Sequence, residues 1–356
     1  MIDFYYAAGH VLHDPQALRQ PGTHSESYYC EVAARGVALH DALLASGLGA
    51  RRAPLDFGLG PLLAVHDAGM VQFLQTAYDR FAQEAGEARA VIPDTYSVQQ
   101  RPRRWPRTIF GQLGSYCFDT SAPIFAGTWQ AAYWSVQTAL SAAARVHGGA
   151  PVAYALCRPP GHHAHADLYG GFCYLNNAAA AADWLARQGQ RVAIVDVDYH
   201  HGNGTQAIFY ERADVFVCSI HADPYDEYPY YWGHADETGA GAGVGFNLNL
   251  PLPLGADEVA YLAALQCALG QVDQFQPDTV LISLGLDTAL GDPTGTFRLQ
   301  RDSFWRIGAA FAALGLPTVV VQEGGYRLDT LGENVTAFFQ GLLGDSGQWE
   351  VSSGQK

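Results

Sequence analysis

Two aspartates and a histidine carry the clearest chemistry in this sequence. Asp198 and His200 stand two positions apart in the run Val192-Ala-Ile-Val-Asp-Val-Asp-Tyr-His-His-Gly-Asn-Gly204. An apolar strand therefore ends in a carboxylate and an imidazole that would share one face. A second apolar run, Thr279-Val-Leu-Ile-Ser-Leu-Gly-Leu-Asp-Thr288, ends in another acid, Asp287. Two carboxylates and one imidazole converging from strand ends make an Asp2His donor set. Such a set suits an open Zn2+ site with three protein ligands and a position left for water. Taken alone, Asp287 reads more readily as a helix N-cap than as a metal ligand.

Two further segments complete the chemistry. Cys157-Arg-Pro-Pro-Gly-His-His-Ala164 supplies the paired imidazoles of His162 and His163, and Val321-Gln-Glu-Gly-Gly-Tyr326 places a phenol after a Gly-Gly turn. A buried phenol and a glycine turn are each ordinary. Each segment, however, follows an apolar run. In an open parallel sheet ligands bind outside the carboxyl ends of the strands, so four polar clusters after four strands are expected to meet in one crevice.

The elements that must position them follow from periodicity. Apolar runs at Val152–Cys157, Val192–Val197, Val215–Ser219, Phe246–Leu250, Val280–Leu284 and Thr318–Gln322 predict buried, mostly parallel strands. Ala/Leu-rich stretches with helical spacing lie among them at Thr128–Val146, Asn176–Gln188, Asp257–Gln274 and Asp302–Leu314. This alternation predicts an α/β doubly wound sheet whose long Gly-, Pro- and Tyr-bearing loops build the pocket.

Composition narrows the partners. The chain has 356 residues, 49% of them hydrophobic, enough to bury a large core in one α/β domain. Its 35 acids against 20 bases give a formal charge of −15. That balance argues against nucleic acid and anionic membrane surfaces and favours cationic small molecules. Six cysteines without CxxC spacing predict free thiols. The beginning lacks a basic signal-like region, and no segment approaches the roughly 18 uninterrupted apolar residues of a membrane span. A cytoplasmic protein is expected.

Together the motifs resemble the arginase/deacetylase superfamily, specifically the zinc-dependent histone deacetylase family. They are Arg158-Pro-Pro-Gly-His-His163, Gly170-Gly-Phe-Cys-Tyr-Leu-Asn-Asn177, Asp196-Val-Asp-Tyr-His-His-Gly-Asn-Gly-Thr-Gln206, Leu284-Gly-Leu-Asp287 and Glu323-Gly-Gly-Tyr326. Val65-His-Asp67, Gly111-Gln-Leu-Gly-Ser-Tyr-Cys117 and Gly127-Thr-Trp129 are similar to its acetylpolyamine amidohydrolase branch. The resemblance implies a single-domain arginase/deacetylase-like fold over 1–344, with about eight strands in the sheet; by composition, 345–356 reads as a loose tail. It implies Zn2+ on Asp198, His200 and Asp287, with Fe2+ or Co2+ as alternatives, activating a water near neutral pH. His163 would be the general base and then acid, His162 an electrostatic partner held by Asp196, and Tyr326 the donor to the oxyanion. Asn203 stands behind His163 where some relatives have Asp, and a neutral partner suits a base that must start unprotonated. K+ would bind at Asp196, Asp198, His200, Ser219 and Ile220, with a second ion at Phe209, Arg212 and Val215.

For the substrate, the resemblance implies a narrow tunnel walled by Gly171, Phe172 and Tyr228, suited to a slender acylated amine. Acetylpolyamine and acetyl-lysine both fit. The positions where acetylpolyamine-type relatives carry acids fall on Phe110 and Ser121, leaving Asp119, Asp223, Asp226 and Glu227 as replacement charge and neutral or aromatic amides as an alternative. A catalytically silent amine- or partner-binding scaffold is the alternative of a different class, opposed by the full catalytic set. The resemblance also implies that the insertion at 84–108, with Arg101-Pro-Arg-Arg-Trp-Pro-Arg107, packs at a homodimer interface, which Trp and Arg suit, with a solvent-facing loop as the alternative.

Overall fold

A computed structural model describes residues 1–15, 29–98 and 104–344. The expected tail at 345–356, together with Arg101 and Arg103, lies outside the described residues. The core is an eight-stranded sheet in the order β2-β1-β3-β8-β7-β4-β5-β6. Its strands are β1 (Ile2–Tyr5), β2 (Gly49–Arg52), β3 (Val152–Ala155), β4 (Val192–Asp196), β5 (Val215–Ala222), β6 (Asn247–Leu252), β7 (Thr279–Leu284) and β8 (Thr318–Gln322). Every pairing between them is parallel.

Such a sheet must be covered on both faces, and the alternation of side chains shows how. Ala193 and Val195 of β4 and Val320 of β8 join Phe304, Phe338 and Phe339 in one apolar layer. Val192 and Ile194, with Val319 and Val321, join a second layer rich in alanine, including Ala139, Ala142, Ala143, Ala178 and Ala182. Helices α5 (Thr128–His147) and α6 (Asn177–Arg187) supply those alanines, so their backbones can pack close to the sheet. On the opposite layer lie α1 (Ala33–Ala45), α8 (Glu258–Phe275), α9 (Arg301–Ala312) and α10 (Leu328–Leu342). The remaining helices α2 (Gly60–Val65), α3 (Ala68–Ala85) and α4 (Ile109–Tyr116) enclose a third apolar cluster containing Leu62, Phe73, Tyr116 and Tyr169. A short α7 (Asn203–Phe209) follows β4.

The six strands expected from apolar runs are present within a few residues of their predicted limits, as are four helices. The two edge-side strands β1 and β2 had no such signal: each has four residues, and Arg51 and Arg52 of β2 point to solvent. The described cysteines are free, and five of the six are buried. No helix among the described residues is long and apolar enough to cross a membrane.

Register sets the level of the functional groups. Ala155, Val321, Ser283 and Asp196 align across β3, β8, β7 and β4, four adjacent central strands. The four polar clusters all begin in or just beyond this row.

Candidate active site

Asp198 and His200 lie past the strand rather than on it, because β4 ends at Asp196. Their orientation comes from a turn that the carboxylates fold themselves. Asp196 Oδ1 accepts from the amide of Asp198 at 3.0 Å, and Asp198 Oδ1 accepts from the amide of His200 at 2.9 Å. Asp198 Oδ2 also accepts from the Gly324 amide at 2.8 Å, and Asp287 Oδ1 from the Tyr199 amide at 3.0 Å. Thus β4, β7 and β8 are tied together at their ends. The donor atoms of Asp198, His200 and Asp287 all lie within 4.8 Å of one another.

The chemistry of this donor set fits a metal ion. Both carboxylates are fully buried, and His200 Nδ1 sits 3.3 Å from Asp198 and 3.2 Å from Asp287. Burial, with the charge of Asp198 beside it, pushes the Asp287 carboxyl up to about 7. The His200 imidazole, which burial alone would lower, is raised to about 10 by its hydrogen bonds and attraction to the two carboxylates. A cation held between the three groups would relieve the carboxylate repulsion and take the place of that imidazole proton. Space is kept for it: a Cβ on Gly324 would strike Asp287 and Asp198, and one on Gly285 would strike Asp198.

The paired histidines are held differently. His162 Nδ1 lies 2.9 Å from Asp196 Oδ2, while His163 Nδ1 lies 2.6 Å from Asn203 Oδ1. Burial opposes a charge on His162, but Asp196 and Asp198 outweigh it and hold the imidazole up at about 10. Burial drives His163 well below the usual histidine range, the charges on His162 and His200 push the same way, and the Asn203 contact offsets them only in part. Two adjacent imidazoles, with ring centroids 4.0 Å apart, therefore differ in charge. Glu323 Oε2 fixes their loop by accepting from the amides of Gly161 and His162, at 2.7 and 3.1 Å.

Tyr326 is buried, and burial raises its phenol well above the usual tyrosine range against the opposing charge of Arg35, so it stays a hydrogen-bond donor. Its backbone amide donates to Asp292 Oδ2 at 2.7 Å. The Arg35 guanidinium stacks 4.3 Å from the ring centroid and donates to the Gly325 and Glu323 carbonyls. It is held by Glu31 at 2.7 Å, which also pairs with Arg158 at 2.8 Å. None of the roles of Glu31, Arg35, Asp292 or Glu323 was visible in sequence. Arg35 meets Gly325 across 290 positions, which leaves no local pattern to read.

His163, His200 and Tyr326 open onto a pocket of about 850 Å³ that also contains Gly171, Phe172 and Tyr228. Gly171 has φ +59, and a Cβ there would meet the His163 ring and, at 2.7 Å, the Tyr228 hydroxyl. Phe172 also adopts a left-handed backbone (φ 64), a costly conformation for a bulky residue, and its ring packs edge-on to Tyr326. The Tyr228 ring packs against His163 at 5.0 Å. Asp119 braces both walls, because its Oδ2 accepts from the Gly171 amide at 2.9 Å and the Tyr228 hydroxyl at 2.8 Å. Of the four acids considered as replacement charge, Asp119 and Glu227 line the pocket, as does Ser121; Asp223, Asp226 and Phe110 do not.

Asp196 and Ser219 are register partners on β4 and β5, with Ile220 next on β5. That brings the expected first potassium group into one neighbourhood. At the expected second, the Phe209 carbonyl accepts from the Arg212 amide at 2.9 Å, and Val215 opens β5.

Comparison with known proteins adds the family. The histone deacetylase domain matches residues 29–342. The chain belongs to the histone deacetylase family. It is 45% identical over 340 residues to acetylpolyamine amidohydrolase 2 of Pseudomonas aeruginosa, covering 95% of this chain and 98% of that one. The crystal structure of an acetylpolyamine aminohydrolase from Burkholderia pseudomallei superposes with a TM-score of 0.89 at 42% identity, covering 96% of this chain and 98% of that one. The HDA15 HD domain superposes at 0.79 with 27% identity, over 97% and 92%. The family fold is the eight-stranded sheet described above, and the chain is a hydrolase of amide bonds with a site for a metal cofactor.

Proposed function

We propose that this enzyme removes acetyl or similarly small acyl groups from slender amines of the acetylpolyamine or acetyl-lysine type, using Zn2+ held by Asp198, His200 and Asp287. The observation that carries this reading is that His200, His163 and Tyr326 open on one pocket whose walls include Phe172 and Tyr228. Bound there, zinc, or Fe2+ or Co2+ in its place, would polarise the amide carbonyl and make water nucleophilic near neutral pH. His163 accepts the proton of that water and delivers it to the departing amine nitrogen as the C–N bond breaks. His162, charged beside Asp196, favours the developing negative charge, and the Tyr326 hydroxyl donates to the oxyanion. The aromatic walls take the methylene stem.

Three relatives that match over nearly their full length are named acetylpolyamine amidohydrolases, which favours a polyamine amide. Slender neutral or aromatic amides are the second reading. Ser121 supplies no charge in the pocket, and both oxygens of Asp119 already accept hydrogen bonds. Ranking acetylputrescine, acetylspermidine, an acetyl-lysine peptide and a neutral acetamide by kcat/KM decides between them; equal values would defeat cation selection. Chelation followed by metal return tests the zinc: activity indifferent to both would defeat it.

The same proposal includes K+ at Asp196, Asp198, His200, Ser219 and Ile220, a weaker one at Phe209, Arg212 and Val215, and a homodimer through 84–108. Trp105, stacked on Tyr116 yet half exposed, supports the latter. A monomeric mass by light scattering would reject it.

A further inference from the structure

The Asn203 amide has two orientations, and only one of them lets His163 act as a base. With Oδ1 toward His163, the imidazole carries its proton on Nδ1 and keeps a lone pair on Nε2. With the amide reversed, its NH2 would donate to Nδ1, and the proton would move to Nε2, where no proton could be accepted. Nothing in His163 itself makes the choice.

The choice is made on the far side of the amide. Asn203 Nδ2 lies 2.9 Å from His165 Nε2. The His165 side chain is nearly buried, with its ring edge-on to Phe118 at 5.8 Å and to Trp232 at 5.3 Å. Its loop is anchored as well, because the His165 amide donates to the Leu168 carbonyl at 2.8 Å and the His165 carbonyl accepts from His66 Nδ1 at 2.9 Å. Burial brings this imidazole down to about 4, so it stays neutral at neutral pH, and with its proton on Nδ1 its Nε2 lone pair accepts from the amide.

We propose that His165 is a positioning residue for the amide hydrolysis: by accepting from the Asn203 amide nitrogen it turns Asn203 Oδ1 toward His163 and so fixes the tautomer of the general base. Three side chains, His165, Asn203 and His163, form one hydrogen-bonded relay in which only the last touches substrate. A carboxylate in place of Asn203 accepts from either oxygen and has no such orientation to lose. This inference rests on His163 being the base.

The test is a double-mutant cycle on the metal-loaded full chain. His165→Phe keeps a ring against Phe118 and Trp232 but removes the acceptor, and is expected to lower kcat by on the order of 10- to 100-fold with KM little changed. His165→Gln, whose side-chain oxygen can accept, restores most of that loss. In the Asn203→Asp background His165→Phe costs much less than in the wild-type background. Side-chain 15N spectra show the proton on Nδ1 of His163 in the wild type and a mixture of tautomers in His165→Phe. Equal losses in both backgrounds, or a Gln variant as poor as the Phe variant, would overturn the positioning role. His163→Ala is measured alongside: if it retains full activity, the base assignment itself fails, whereas a large loss there with a harmless His165→Phe removes only the present inference.

Discussion

The floor and the mouth of the pocket are built by opposite means. At the floor, Asp198, Asp287, Glu323 and Asp196 each accept hydrogen bonds from neighbouring backbone amides or imidazoles, and all four are almost fully buried. At the mouth, Tyr230 and Tyr231 expose 49% and 77% of their surface. The floor can hold reacting groups to a fraction of an ångström because four adjacent strands end at one level. The mouth cannot, and so is suited to choosing among amines rather than to chemistry.

Floor and mouth should therefore respond to substitution on different scales. Asp287→Ala removes one donor and leaves Asp198 and His200 to hold the ion alone; activity is expected at background and bound metal well below stoichiometric by elemental analysis. A variant that keeps both would place the metal elsewhere. Tyr326→Phe is expected to lower kcat by about 100-fold with KM little altered. A change in KM alone would make Tyr326 a binding group and blur the division. Glu227→Gln at the mouth, by contrast, is expected to lower kcat/KM for acetylspermidine by a few-fold, the size of a weak, partly solvated ion pair of about 1 kcal/mol, and to leave a neutral acetamide unaffected. Loss on both substrates would tie Glu227 to the floor through Tyr199, whose hydroxyl it accepts at 2.9 Å.

Acid exposes the same contrast through stability. Burial holds His10 at about 3 and His66 and His165 at about 4. Unfolded, these imidazoles would take up protons near the ordinary value of about 6.5, so the unfolded state binds more protons below that pH. Stability should fall as pH drops from 6.5 toward 4, because these buried imidazoles outweigh Asp287 and Glu323, whose carboxyls, raised to about 7, act the other way. Denaturant midpoints that stay level between pH 7 and 5 would contradict this. Smallest of all, Tyr231→Ala should shift unfolding by no more than about 0.5 kcal/mol; a larger shift would show that the mouth is structural.

The sequence revealed donors more readily than their supports. Apolar runs located β4, β7 and β8, and the polar residues following β4 and β7 located the Asp198, His200 and Asp287 cluster, because strand, turn and donor are contiguous. The four-residue β1 and the solvent-facing β2 had no such contrast. Asp198 and His200 were expected to share a strand face, yet their geometry comes from a self-bonded turn after Asp196. Asp119 looked like a spare charge and is a brace between Gly171 and Tyr228. Arg35 and Asp292 act on Tyr326 from other parts of the chain, and such contacts have no period to detect.

The strand made next to last in the active floor's order of synthesis is β7, and the last, β8, is inserted between it and β3. A nascent chain that stops before β8 therefore has two unpaired sheet edges where its centre should be. It also lacks Tyr326, the Gly324 amide that anchors Asp198, and the carbonyls that receive Arg35. A product that ends before Tyr326 would therefore lack both the phenol and the backbone groups that hold Asp198 and Arg35, and is expected not to hydrolyse an amide.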